Sequence, residues 1–311
     1  MNIARKQARE IVDGTGVITQ GEIVGFNCSI DADLLLAVAL HPLNYREESG
    51  IGSFATTKTE RGQSYDIYLS SDGELRLLAN IKDSFNFHDL QLLNDRELLL
   101  VCARSHYQPE NRSERNGRIY SVEGQFQKEI LLGDGIQDVQ ADSNGVIWTS
   151  YFDEGIFGNY GWTHPIGQNG LIAWNSDGEK LYEYQPIESL QEMCDCYALN
   201  VVSNKESWCY YYTDFPLVKI KDRKIDGYWH IPVKGSSAFA IYRSFALFNN
   251  SYDEDDALLH LLKLQDNHRT QEICQVRIGN LENVDRVIGR RDSLYFLSDK
   301  KVFSISVQEV L

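Results

Sequence analysis

Apolar residues along this chain recur in short runs rich in Val, Ile, Leu, Tyr and Trp, and Gly, Asn and Asp punctuate the runs. Helical 3.6-residue periodicity is scarce, so the pattern predicts short strands joined by tight turns. The clearest hairpin is "IQDVQADSNGVIWTSY", in which Asp142-Ser143-Asn144-Gly145 offers residues that tolerate the positive φ of a two-stranded turn. Comparable signals stand at "HDLQLLNDRELLLVCA", "CYALNVVSNKESWCYYYT", "SAFAIYRSFALFNN" and "VDRVIGRRDSLYFLSD", with a fainter one at "EIVGFNCSIDADLLLAVAL".

Each hairpin is followed by a second strand pair with its own turn, as in "RIYSVEGQFQKEILL", "GLIAWNSDGEKLYEY", "LVKIKDRKIDGYWHI" and "YDIYLSSDGELRLLA". The repeating unit is therefore a four-stranded antiparallel sheet. Taking Leu34, Leu98, Val146, Ser207, Phe245 and Ser293 as markers of the second strands, the units follow one another at 38 to 64 residues. Four strands at a period of about 40–50 residues are the signature of a β-propeller. The expected fold is all-β, a six-bladed β-propeller spanning residues 1–311 as a single domain, with two stacked β-sandwiches as the alternative. The last unit, "KKVFSISVQEVL", reaches only a third strand. An N-terminal strand, with "GVITQ" at Gly16 to Gln20 as the candidate, is expected to complete it and remove two open sheet edges.

In such a blade the connection between the second and third strands opens on one face. Here it is long in the first three units, His41 to Gln63, Ser105 to Asn116 and Asp153 to Asn169, and short near Asp214 and Asp299. Loops this long inside a compact fold are commonly functional or disordered. The polar "SHYQPENRSERNG" reads as a solvated loop. In "FDEGIFGNYGWTHPIGQNG", by contrast, Phe152, Ile156, Phe157, Tyr160 and Trp162 need apolar surroundings, so an ordered loop packed over a propeller mouth is expected.

Polar residues converge on that mouth in the expected topology. With the second strands registered on Trp148 and Trp208, Glu154 falls opposite Asp214, and His41, His106, Asn250 and Asp299 fall near the same position. Asp153, one residue earlier, should cap the turn into Gly155. The starts of the innermost strands add His88, Asp89, Asp138, Asp195, Ser236 and Asp285. Acids crowded there would raise one another's pKa, attract a metal, or tie blade to blade by accepting backbone N–H groups. The candidate ligand-binding set is His41, His88, Asp89, His106, Asp138, Glu154, Tyr160, Trp162, Asp195, Tyr212 and Asp214. The candidate metal ligands are Asp138, Asp89 and Asp195, for a divalent cation such as calcium, zinc or manganese. Cys194 and Cys196, alternating on one strand, form a further zinc candidate with His88. The remaining aromatic run, Trp208 to Tyr212, reads as core.

The charge narrows the partners. Thirty Lys and Arg face 45 Asp and Glu, a net charge of −15, which repels nucleic-acid phosphates and anionic membrane surfaces and favours a cationic partner. The first residues show no secretory pattern, no stretch is long and apolar enough for a membrane span, and the six cysteines have no CxxC spacing. A cytoplasmic protein with reduced thiols is expected.

The segment "GDGIQDVQADSNGVIWTSYF" resembles the blade unit of six-bladed propellers of the gluconolactonase, strictosidine synthase and NHL-repeat kind, through Asp134-Gly135, Asp138, Gly145 and Trp148. The strings "YFDEGIFGNYGW", "DCYALNV" and "CYYYTDFPLV" look similar to bacterial propeller proteins of unassigned function. In the gluconolactonase-like enzymes a divalent cation at the channel mouth activates water, and the resemblance implies that Asp138 would take one ligand position. Two functions are therefore expected in order. The first is a binding propeller that uses the loop-rich mouth of blades one to three for a protein or small molecule. The alternative is a metal-dependent hydrolase with Asp89, Asp138, Asp195 and Glu154 near the cation.

Overall fold

The computed structural model describes residues 3–48, 52–94, 96–250 and 255–311. Six antiparallel sheets of four strands are the blades of a six-bladed β-propeller. The chain falls into two compact units, Gly16–Glu183 and Met1–Thr15 with Tyr184–Leu311. The first two strands, β1 (Ala4–Lys6) and β2 (Arg9–Asp13), belong with the second of these units.

The unit Gly16–Glu183 holds blades one to three. Blade one comprises β3 (Glu22–Cys28) and β4 (Leu34–Ala39), then a small inserted hairpin of β5 (Tyr45–Glu48) and β6 (Gly52–Ala55), then β7 (Lys58–Ser71) and β8 (Glu74–Phe85). Blade two is β9 (Asp89–Asn94), β10 (Glu97–Val101), β11 (Gly117–Ser121) and β12 (Phe126–Ile130). Blade three is β13 (Ile136–Ala141), β14 (Ile147–Tyr151), β15 (Leu171–Trp174) and β16 (Lys180–Glu183), with a one-turn helix α1 (Asp153–Phe157) after β14. Residues 49–51 of the expected His41–Gln63 loop and the hairpin residue Asp95 lie outside the described residues.

The other unit holds blades four to six. Blade four is β17 (Asp195–Ser203), β18 (Glu206–Tyr212), β19 (Pro216–Lys221) and β20 (Lys224–His230). Blade five is β21 (Phe239–Tyr242), β22 (Phe245–Asn250), β23 (Asp255–Leu264) and β24 (Thr270–Ile278), to whose edge β1 adds a fifth strand in parallel. Blade six is β25 (Arg286–Arg290), β26 (Ser293–Ser298) and β27 (Lys301–Ser306), and β2 is its fourth strand. A short helix α2 (Val307–Val310) follows, fixed by a capping box between Ser306 and Glu309.

An N-terminal strand does complete the last blade, but it is Arg9–Asp13 and not Gly16–Gln20. Glu10 pairs with Phe303 and Val12 with Val302, which puts Val12 in the core. Asp13 ends the strand because its carboxylate turns back to accept the Thr15 N–H at 2.9 Å and the Thr15 hydroxyl at 2.6 Å.

Sequence pattern explains which strands are central. The second strands are continuous apolar runs buried on both faces, as "LLLAVA" in β4 is throughout. Outer strands alternate or are mostly polar, as "FQKEI" in β12. Between blades one and two, Leu35, Ile67, Ile81, Phe87, Leu98 and Tyr120 form one buried cluster. Each such side chain contributes about 1.5–3 kcal/mol by leaving water.

Where first strands of neighbouring blades meet, polar side chains satisfy main chain. Asn27 donates to Asp89 Oδ1 and to the Val139 carbonyl, both at 2.8 Å, and so links blades one, two and three. Asn200 does the same in the other unit, donating to the carbonyls of Phe239 at 2.9 Å and Arg291 at 3.0 Å.

Candidate functional site

The described residues of the three long connections of blades one to three knit to one another around Arg104, a residue just beyond β10. Two glycines create the approach. Gly135 has φ +72°, and a Cβ there would stand 2.3 Å from the Gly155 backbone, while a Cβ on Gly155 would stand 2.6 Å from the Asp134 carbonyl oxygen. Backbone therefore packs on backbone, and α1 sits against the turn that precedes β13. This places Glu154 on one side of Arg104 and Asp134 on the other.

Arg104 is buried, and its guanidinium bridges the two acids: Nη2 lies 2.9 Å from Asp134 Oδ2, and Nη1 pairs with Glu154 Oε2. Asp134 also accepts the Ser105 N–H at 2.8 Å. Aromatic rings cover the remaining faces, with the guanidinium carbon 4.2 Å from the Tyr160 centroid and 5.3 Å from that of Phe152. Burial pushes the Asp134 carboxyl up to about 6, against the pull of Arg104 and of the Ser105 and Gly135 N–H groups, with Glu154 adding to the rise.

Tyr160 and Trp162 extend the cluster to the other loops. The Tyr160 hydroxyl donates to the Ala55 carbonyl at 2.8 Å, and its ring lies 4.4 Å from the His106 ring. The Trp162 indole donates to the Ser105 carbonyl at 2.7 Å and meets the Tyr107 ring edge-on at 5.2 Å. Glu114 accepts the His106 N–H and pairs with Lys58 at 3.1 Å. Burial opposes its ionisation, yet donors from Thr57, the His106 backbone and Lys58 outweigh it, so its carboxyl lies below the usual range. The polar loop "SHYQPENRSERNG" is thus pinned at Ser105, Ser113 and Glu114, while His106 to Arg112 stay exposed.

Ile156 and Trp162 find the apolar surroundings their loop required. Phe157 does not: it is 67% exposed, and the other long connections carry exposed rings of their own, Tyr107 at 47% and Tyr45 at 52%. Asp153 is not the expected cap of the turn into Gly155: the Gly155 N–H donates to the Phe152 carbonyl at 2.9 Å, Phe152 is the N-cap of α1, and the Asp153 carboxylate accepts the adjacent Glu154 N–H at 2.7 Å.

Other candidates lie apart from this cluster. His41 is exposed and exchanges backbone hydrogen bonds with the Gln63 amide, at the edge of a pocket of about 440 Å³ lined also by Asn44 and Arg61. His88 is half-buried and its Nδ1 accepts the Ala103 N–H at 3.2 Å. Asp89 is buried and accepts from Asn27 and from the Leu90 N–H. Asp138 accepts the Val139 N–H at 2.7 Å and the Gln140 amide at 3.2 Å. In the other unit, Asp195 opens β17 opposite Tyr212, whose exposed ring packs 5.6 Å from Phe215, and Asp214 is an exposed turn residue with φ +66°.

No group of three or more His, Cys, Asp or Glu side chains among the described residues is placed to hold a metal ion. Cys196 is buried while the Cys194 thiol sits half-exposed, accepting from the Thr213 hydroxyl at 3.3 Å. All six cysteines are free thiols, and burial pushes Cys102 up to about 12. No helix among the described residues is long and apolar enough to cross a membrane.

Arg104, Asp134, Tyr107 and Phe157 are the members of the site that the candidate set omits. The signal for Arg104 was a lone cation directly after the apolar run "LLLVCA".

Fold and loops together define a six-bladed propeller with one elaborated loop face. Residues 169–305 match the YxzG family. No curated protein matches the chain. Among solved structures, the chain is similar to one in "Crystal Structure of Mitotic Checkpoint Complex", at 9% identity and a TM-score of 0.51, over 98% of this chain and 92% of that one. It is also similar to apo AztD from Citrobacter koseri, at 10% identity and a TM-score of 0.42, over 91% and 82%. At such identities the likeness concerns the fold alone.

Proposed function

We propose that this chain is a non-catalytic binding propeller whose loop face on blades one to three docks a partner protein. The observation that carries this reading is Phe157, two-thirds exposed on a loop held in place by buried ion pairs and hydrogen bonds. A large aromatic kept in water on an ordered element, with Tyr107 and Tyr45 on adjoining loops, has the composition of an interface centre. The loop face offers apolar area spread over three connections, which suits a protein surface better than an enclosed small molecule.

The hydrolase alternative has less support. Asp89 and Asp138 have oxygens engaged by amide donors, and Glu154 is held by Arg104.

The test is a paired capture experiment. Wild-type protein and a Phe157→Ser/Tyr107→Ser variant are immobilised, and bound proteins are compared by mass spectrometry. Phe157 is largely exposed, whereas Tyr107 gives up its ring contact with Trp162, so the melting temperature of the variant is measured alongside to show that the fold is kept. A partner retained by wild type and lost by the variant is the expected result. An identical set of bound proteins would refute the assignment of this face.

A further inference from the structure

The unit made of residues 1–15 and 184–311 carries a cleft of about 640 Å³ between blades four and five, where the first and second strands of each blade join. Its floor is a pair of indoles: Trp208 and Trp229 stack with centroids 5.5 Å apart and planes at 27°. Trp208 Nε1 donates to Glu206 at 2.9 Å and Trp229 Nε1 to the Gln265 carbonyl at 2.8 Å. Trp208 is 2% exposed and also carries the Lys219 ammonium 5.6 Å from its ring centroid, so the half-buried Trp229 is the indole that offers the cleft ring surface. Tyr242 supplies a third ring on the blade-five side.

The charged groups around this floor are unequally engaged. Glu206 is neutralised by Lys219 at 3.3 Å, and Lys219 is shared with Asp226 at 3.3 Å. Asp292 accepts from Gln308 at 3.2 Å and from the Ser293 hydroxyl at 3.3 Å. Asp266 stands on an exposed turn at the outer rim. Arg243, exposed at the tip of the β21–β22 turn, has its guanidinium 5.1 Å from the Tyr242 centroid, and Arg291 lines the same end. The floor is thus aromatic, and a planar cation stands beside it.

We propose that this cleft binds a planar aromatic anion, a ring system bearing a carboxylate or like group. The ring lies against Trp229 and Tyr242, and the anionic group meets the guanidinium of Arg243. The volume falls within the range of small-molecule sites, and guanidinium is the side chain whose fork matches a carboxylate while stacking on rings. In a chain of net charge −15, an anion needs such a local cation to approach at all.

The test uses 2-naphthoate as the probe and 2-acetylnaphthalene as its neutral counterpart of similar shape, each titrated calorimetrically against the full chain, with tryptophan fluorescence followed in parallel. Naphthoate is expected to bind saturably below about 1 mM and to quench the fluorescence, and the neutral ketone to bind at least ~10-fold more weakly. Arg243→Gln, an exposed turn substitution, should weaken naphthoate at least ~10-fold with an unchanged melting temperature, and Arg243→Lys should restore part of the loss. Absence of saturable naphthoate binding would overturn the proposal. So would equal binding of the neutral ketone, or unchanged binding in Arg243→Gln.

Discussion

Replacing Arg104 by Met isolates the charge at the centre of the loop face, because Met keeps much of the aliphatic stem against Phe152 and Tyr160 while removing the guanidinium. The Asp134 side chain is 1% exposed and that of Glu154 28%. Glu154 can turn to water when its partner goes, so its share of the loss is small. Asp134 cannot, and stripping the partner from a buried ion costs about 3–5 kcal/mol. At roughly 2–3 °C per kcal/mol, the melting temperature should fall by about 6–15 °C at pH 8. Asp134→Asn in the same background should recover part of it, since the amide oxygen still accepts the Ser105 N–H and no charge is left unpaired.

The loss should depend on pH in a definite direction. The folded-state pKa of Asp134 is about 6, above its ordinary 3.8, so the folded protein holds this proton more tightly than the unfolded chain does. The stability linked to it is complete below 3.8 and is lost as pH rises through 6, a difference of about 3 kcal/mol. Removing Arg104 takes away the main attraction for the ionised form. The penalty of Arg104→Met should therefore be greatest above pH 6 and shrink toward pH 4.5, where the acid is largely neutral. Carboxyls shifted the other way, Asp13 to about 2 and Glu114 below its usual range, lose stability as pH falls, but they are common to both proteins and cancel on subtraction. Melting curves at pH 4.5, 6 and 8 decide the matter. A penalty independent of pH, or a fall below about 2 °C, would refute the electrostatic account.

Two further outcomes follow from single contacts. Asn27→Ala deprives Asp89 and the Val139 carbonyl of a buried donor and should cost about 2–4 kcal/mol in urea unfolding; a loss under about 1 kcal/mol would mean that water or relaxation replaces the amide. Gly155→Ala places a methyl 2.6 Å from the Asp134 carbonyl and 2.7 Å from that of Gly135, so amide hydrogen exchange across residues 152–170 should quicken markedly. Wild-type protection there would show that α1 is held by something other than this backbone contact.

Much of the fold was legible because strand period and turn chemistry are local. Leu34, Phe245 and Ser293 coincide with the first residues of β4, β22 and β26, and Leu98, Val146 and Ser207 fall within one residue of β10, β14 and β18. The closing strand was misplaced because "REIVD" and "GVITQ" both suit a strand, and the choice rests on pairing with β27 nearly the whole chain away. The turn chemistry of Asp13, visible only once Thr15 folds back, is what separates them. Helix α1 is five residues long, too short to show a 3.6-residue period. Of the site, Glu154, Tyr160, Trp162 and His106 were legible as odd polar or aromatic residues in long loops. Arg104 was not, because its burial depends on Asp134 and Glu154, 30 and 50 residues further on.

The same distinction bears on where function resides. In each unit the buried amides at first-strand contacts are spent on main-chain carbonyls, Asn27 on Val139 and Asn200 on Phe239 and Arg291. Asp89 is likewise committed to Asn27 and the Leu90 N–H. Such groups answer a need that every blade contact has, namely to pair buried polar atoms, and they would be required whatever the protein bound. The loop face meets no such general need. Its ion cluster, its paired glycines and its ring contacts hold in order a segment that could have been a short turn, as it is between β18 and β19 of blade four. Order maintained in this way around an exposed Phe157 is the feature on which the proposed docking of a partner protein rests.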